Sequence, residues 1–174
     1  PIGTAAAYAP VTMNMGSVSA AGTLTGSTTN GDDANISGSD INTFRTVNRS
    51  WNFSKSGALT VSSFGATFEW FGDQDANFDF NNAIVGRYNG TAWNYPSVGT
   101  KTESSIQILN ESSFGSYQIG KQCQYTSISS EPSSVAICEG TLTDIQVSAT
   151  GDGTLEYAWS RNDQPLSGET LNTI

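Results

Sequence analysis

The chain has 174 residues, with 16 acidic side chains against 7 basic ones, a formal charge of -9 and no histidine. Such a surface repels nucleic acid and anionic membranes. The missing imidazole removes Ser-His-Asp triads, Cys-His pairs and His-ligated zinc from this chain, which leaves carboxylates as the route to catalysis.

Hydrophobic residues make up 36% and aromatics 10%, enough for a packed core, while charged residues reach only 13%. Eighteen glycines, five prolines and many Ser, Thr and Asn residues match an extracellular β protein, with Gly and Asn in turns and Thr in strands. No run approaches the roughly 18 apolar residues of a membrane span. The chain opens on Pro1 with no Met or basic segment ahead of it, and reads as a processed product or an excerpt.

Alternating β-type runs begin with Val11-Thr12-Met13-Asn14-Met15. Gly22 to Thr29 follows and enters the turn Asn30-Gly31-Asp32-Asp33. Further strands are expected at Arg49 to Ser54, Ala66 to Phe71 and Ala83 to Tyr88, each with aromatic or branched residues at every second position. Asn89-Gly90 between Tyr88 and Trp93 is a strong hairpin signal. Ser105 to Leu109 and Ser116 to Gly120 complete a first all-β sandwich module over residues 1–120. Residues 121–125 read as a linker. A second module over 126–174 has expected strands at Ser127 to Cys138 with a kink at Pro132, Thr143 to Ser148 and Leu155 to Trp159. Three or four strands do not close a sandwich, which normally takes about 100 residues, so this module reads as incomplete. The fold class expected is all-β, as tandem sandwiches.

The second module resembles a known family in Ile128-Ser129-Ser130-Glu131-Pro132, Val135-Ala136-Ile137-Cys138-Glu139-Gly140 and Leu155-Glu156-Tyr157-Ala158-Trp159. These elements look like the first half of the Ig-like repeats of large secreted or surface proteins of Bacteroidetes. The resemblance implies that Trp159 packs at a sandwich centre. Antibody domains carry their first cysteine about 14 residues before that tryptophan, a position held here by Ile145, with Cys138 lying earlier. The first module is similar to another segment of the same proteins, through Pro1-Ile2-Gly3-Thr4, Tyr8 to Thr12, Val47 to Trp51, Ala66 to Trp70, Val85 to Trp93 and Ser113 to Gly120. The resemblance implies an exported protein, secreted or held at the cell surface through type IX secretion, that acts as an adhesin, stalk or filament component. Its implied partners are other modules of the same polypeptide and polysaccharide or surface ligands, with self-assembly by strand exchange as an alternative.

Four groups of residues are candidate sites. Asp73, Asp75 and Asp79 are oxygen ligands at near-alternate positions that suit Ca²⁺, but the register lacks the glycine and terminal Glu of an EF-hand loop, and a solvated acidic loop is the plainer reading. No other cofactor is implied. Glu69 lies between Phe68 and Trp70 and is the carboxylate to consider for glycoside hydrolysis, although alternation turns it away from both aromatics. Tyr88, Trp93 and Tyr95 flank the hairpin and would form a sugar-stacking platform, as in a carbohydrate-binding module appended to a secreted hydrolase, or else close the core at the hairpin base. Trp51, Trp70 and Trp159 read as core. Cys123 and Cys138 are the two thiols, either bridged to each other or paired elsewhere. Sequons at Asn35, Asn48, Asn52, Asn89 and Asn110 fit chance occurrence in a Ser/Thr-rich chain.

Overall fold

A computed structural model describes residues 8–174, so the Pro1-Ile2-Gly3-Thr4 element lies outside the described residues. The chain divides into two compact units, Pro1–Gln122 and Cys123–Ile174. Lys121 and Gln122, expected in a linker, are instead the last residues of a strand.

The first unit contains β1 (Val11–Met15), β2 (Val18–Asn30), β3 (Ile41–Val61), β4 (Phe64–Glu69) and β5 (Ala83–Tyr88). It continues with β6 (Trp93–Asn94), β7 (Ser97–Thr102), β8 (Ser105–Glu111) and β9 (Ser116–Gln122). One sheet has the order β1-β4-β8-β7 and the other β2-β3-β9-β5-β6. Every pairing is antiparallel. Phe64, Ala66, Phe68, Ile106 and Ile108 of the first sheet share one buried cluster with Val47, Trp51, Phe53, Val85, Tyr117 and Ile119 of the second. This is a β-sandwich, and its core is aromatic: Phe68 lies 5.3 Å from Trp51 and 5.2 Å from Tyr117, centroid to centroid.

Successive residues of a strand point to opposite faces, and directly paired residues share a face. Trp51 pairs with Tyr117, and Tyr117 with Arg87, along the core side. One residue along, Ser27, Asn52, Ser116, Tyr88 and Trp93 are paired in turn across all five strands. That row is therefore on the outer face.

Two buried ion pairs involve core-side arginines. Arg49, fully buried, donates from Nε to Asp73 Oδ2 at 2.8 Å. Arg87 lies 2.5 Å from Glu111 of the other sheet, a charge contact whose alignment does not meet hydrogen-bond geometry. Tyr117 donates its hydroxyl to Ser113 O at 3.0 Å, and burial, reinforced by Glu111, raises its pKa well above the ordinary tyrosine value.

The second unit forms β10 (Ser127–Ser130) paired with β11 (Ser148–Thr150), and β12 (Ser160–Arg161) paired with β13 (Gln164–Pro165). The strand expected through Cys138 stops at Ser130, and Val135 and Ile137 beyond it are half exposed. Thr143 to Ser148 contributes an isolated bridge at Gln146 and the first residue of β11, while Leu155 to Trp159 stays outside the ladders. Trp159 is partly exposed and not at a packed centre; its Nε1 donates to Leu171 O at 2.8 Å. No residue of 123–174 is buried. Alternating apolar residues gain little by extending when no second layer covers them.

The two units should therefore respond unequally to truncation. Phe68→Ala should destabilise the first unit by about 3–5 kcal/mol. Leu142→Ala, at a position 97% exposed, should shift stability by less than about 0.5 kcal/mol. Denaturant midpoints of the two variants check both values.

Candidate functional site

The outer end of the row across the five-stranded sheet opens into a cleft of about 620 Å³. One wall is Ala34, Asn35, Ser37, Gly38 and Asp40 from the segment joining β2 to β3, and the other is the hairpin with Tyr88, Thr91, Ala92, Trp93 and Tyr95. The structure thus brings together all three residues of the aromatic platform. Tyr88, Trp93 and Tyr95 lie outside the core cluster, and Tyr95 is 39% exposed, so they do not close the core at the hairpin base.

The hairpin is stiff for local reasons. Tyr88 pairs with Trp93, leaving 89–92 as the loop. Asn89 Oδ1 accepts from the backbone N–H groups of Thr91 and Ala92, both at 2.9 Å, and Gly90 supplies the left-handed φ of +101° that the turn requires. Trp93 lies over Gly86: a Cβ there would stand 2.8 Å from Cε3 and 3.0 Å from Cζ3 of the indole. Only glycine lets the ring settle against the strand. Tyr88 and Trp93 then meet with centroids 5.4 Å apart at 40°.

Both Trp93 and Tyr95 are tied across the cleft by their polar edges. Trp93 Nε1 donates to Asn35 O at 3.0 Å, and the Asp40 amide donates to the Tyr95 hydroxyl at 2.5 Å. These bonds join residues more than fifty apart in sequence and hold the rings in place.

The opposite wall is itself anchored to the outer face. Asp33 donates its amide to Gln118 Oε1 at 2.9 Å and accepts from the Ser116 hydroxyl, while Asn35 caps it through N and Nδ2 at 2.8 and 3.0 Å. Gln118, fully buried, also donates to Asp32 Oδ1 at 3.0 Å. Asn30-Gly31-Asp32-Asp33 is therefore more than a turn: it is the foot of a cleft wall. Burial raises the Asp32 carboxyl above its ordinary value, aided by Asp75 and opposed by bonds from Thr46 and Gln118. For Asp33 burial also pushes upward, but the bonds from Ser116 and Asn35 outweigh it and hold the carboxyl below the usual range.

The remaining candidates lie elsewhere. Asp73 pairs with Arg49; Asp75 accepts from the Thr46 amide at 2.7 Å and Asn48 Nδ2 at 2.6 Å; Asp79 accepts from Asn81 N and Asn82 Nδ2 at 3.0 and 2.6 Å. These bonds to Asn82 and Asn81 lower the Asp79 pKa. The three carboxylates thus serve three separate sets of partners, and among the described residues no three His, Cys, Asp or Glu groups are placed to hold a metal ion. Glu69 follows buried Phe68 and precedes buried Trp70 on the opposite, partly exposed side of β4, away from the cleft. Cys123 and Cys138 are not joined in a disulfide.

The Asp33 network predicts acid loosening of the cleft wall. A depressed folded-state pKa contributes stability above the unfolded value, and that contribution is lost as pH falls through the folded value below about 3.8. Hydrogen exchange at the Asp33 and Asn35 amides should stay slow at about pH 5 and accelerate below about pH 4. In Asp33→Asn that acid step should disappear.

Compared with known protein families, curated proteins and solved structures, the chain finds no match in any of the three.

Proposed function

We propose that this chain is a non-catalytic adhesive part of a larger exported protein, in which the aromatic cleft of the first unit binds carbohydrate. The observation that carries this reading is the pinned pair Trp93 and Tyr95. Their hydrogen-bonding edges are satisfied by Asn35 and Asp40, and both line an open cleft with Tyr88. Aromatic rings offer large apolar contact, and fixing them in advance lowers the ordering cost of binding. Asn35, Ser37 and Thr91 add polar groups suited to sugar hydroxyls. Hydrolysis by paired carboxylates needs two of them flanking one bond, and Asp40 is the single carboxylate in the lining. The hydroxyl-rich composition and the family resemblance support export, to the cell surface or beyond, with other modules of the same polypeptide as neighbours.

A panel of neutral oligosaccharides tests the reading. The chain should bind at least one series, and the Trp93→Ala, Tyr95→Ala double variant should lose about tenfold or more in affinity, as two ring contacts of about 1 kcal/mol each imply. Gly86→Val should weaken binding with both rings intact, because it displaces the Trp93 indole. Wild-type affinity retained in the double variant would remove the cleft from the account.

The second unit favours an additional reading, filament assembly by strand exchange. Its residues are all at least partly exposed, and Ile128, Pro132, Val147, Tyr157 and Trp159 border a groove of about 380 Å³. An added strand would supply the missing cover. Sedimentation should then show association that rises with concentration; a monomer across the whole range would count against it.

A further inference from the structure

We infer that Asn89-Gly90 is a self-modification site, at which the hairpin loop beside the cleft converts spontaneously, through a cyclic imide, to aspartate and isoaspartate. Asn30-Gly31, the other such pair in the chain, is held back from the same reaction.

The reaction is intramolecular and consumes only water, with hydroxide as the base. The Gly90 amide gives up its proton, and its nitrogen attacks Cγ of Asn89. The new C–N bond closes the imide ring as the Cγ–Nδ2 bond breaks and ammonia leaves. Water then opens either carbonyl of the ring, which leaves a normal or a β-linked aspartyl bond. Nucleophile and carbonyl belong to adjacent residues, so their encounter costs little entropy.

The loop favours this chemistry at Asn89. Its Oδ1 accepts three bonds, from the Thr91 amide, the Thr91 hydroxyl and the Ala92 amide, each at 2.9 Å. Donors converging on that oxygen polarise the side-chain carbonyl and stabilise the negative charge it takes up when the nitrogen adds. Among the described residues the Gly90 amide and Asn89 Nδ2 meet no hydrogen-bond partner, so neither nucleophile nor leaving group is tied down. A Cβ at Gly90 would meet nothing within 4 Å, which leaves the approach open.

At Asn30-Gly31 the same dipeptide is restrained. The Gly31 amide donates to Asn48 O at 2.7 Å, and Asn30 pairs with Arg49 at the end of the β2–β3 ladder. That nitrogen must give up its bond before it loses its proton. Conversion at position 89 adds a carboxylate to a chain already at -9, and the β-linked product inserts one more backbone carbon between Tyr88 and Trp93, which pair directly.

Peptide mapping by mass spectrometry of the full chain, held in warm, mildly alkaline buffer with and without concentrated guanidinium chloride, supplies the test. In the folded chain position 89 should convert about tenfold faster than position 30, as the loss of one backbone hydrogen bond at Gly31 implies. In denaturant, where both loops are open, the two positions should convert at similar rates. Thr91→Val removes the hydroxyl donor and keeps the backbone one, and should slow position 89 by about threefold in the folded chain alone. Equal rates at the two positions of the folded chain, or a preference that persists in denaturant, overturns the inference. So does a folded Thr91→Val chain that converts at the wild-type rate.

Discussion

The two-residue period of the five-stranded sheet is the constraint on which both the core and the cleft depend. Trp51 and Asn52, Tyr117 and Ser116, Arg87 and Tyr88 are neighbours in sequence that belong to opposite faces. A slip of one residue in any of these strands would move an aromatic core residue to the outside and a cleft residue to the inside. Burial of Trp51, Phe53, Tyr117 and Ile119 against Phe68 and Ile108 makes such a slip costly. The geometry of the outer face is thus set by packing on the inner one, although no cleft residue belongs to the core cluster.

Polar groups complete what packing begins. The outer face of β9 presents Ser116 and Gln118, and the segment after β2 lands on them through Asp32 and Asp33. A fully buried glutamine that lost these partners would be left unsatisfied, so the wall and the sheet hold each other. On the core side Arg49 presents the same problem with a full charge, answered by Asp73. The acidic run that resembles a loose metal-ligand set is accordingly used within the fold: Asp73 neutralises a buried guanidinium, and Asp75 ties its loop to Thr46 and Asn48.

Much of the first unit was legible in the sequence because its strands alternate strongly. Val11 to Met15, Ala66 to Glu69, Ala83 to Tyr88 and Ser116 to Gly120 lie within strands, and Asn89-Gly90 lies in the hairpin loop. β7 was not legible, since Ser97-Val98-Gly99-Thr100-Lys101-Thr102 offers one branched apolar residue and owes its extension to pairing with β8. The full lengths of β2 and β3 were hidden for a similar reason: Ser19, Asn42, Ser56 and Gly57 lie in their outlying parts, and such residues mark turns as readily as strands. In the cleft, the spacing of Trp93 and Tyr95 announced a shared face, but not which one. That depends on the register of β5 against β9. Nothing local marks Asn35 or Asp40 as their partners, and Gly86 leaves no signal beyond the absence of a side chain. In the second unit alternation misled, because a periodic apolar pattern specifies a strand only where another layer exists to cover it.

The two walls of the cleft come from segments separated in the chain by β3, β4 and β5, joined by Trp93 to Asn35 and Tyr95 to Asp40. A cleft built in this way cannot be carried by an excised hairpin or transplanted as one loop. A peptide spanning Tyr88 to Tyr95 would keep the turn and lose the acceptor and donor that orient its rings. The arrangement of the rings is a property of the closed sandwich, and it exists only while the first unit is folded.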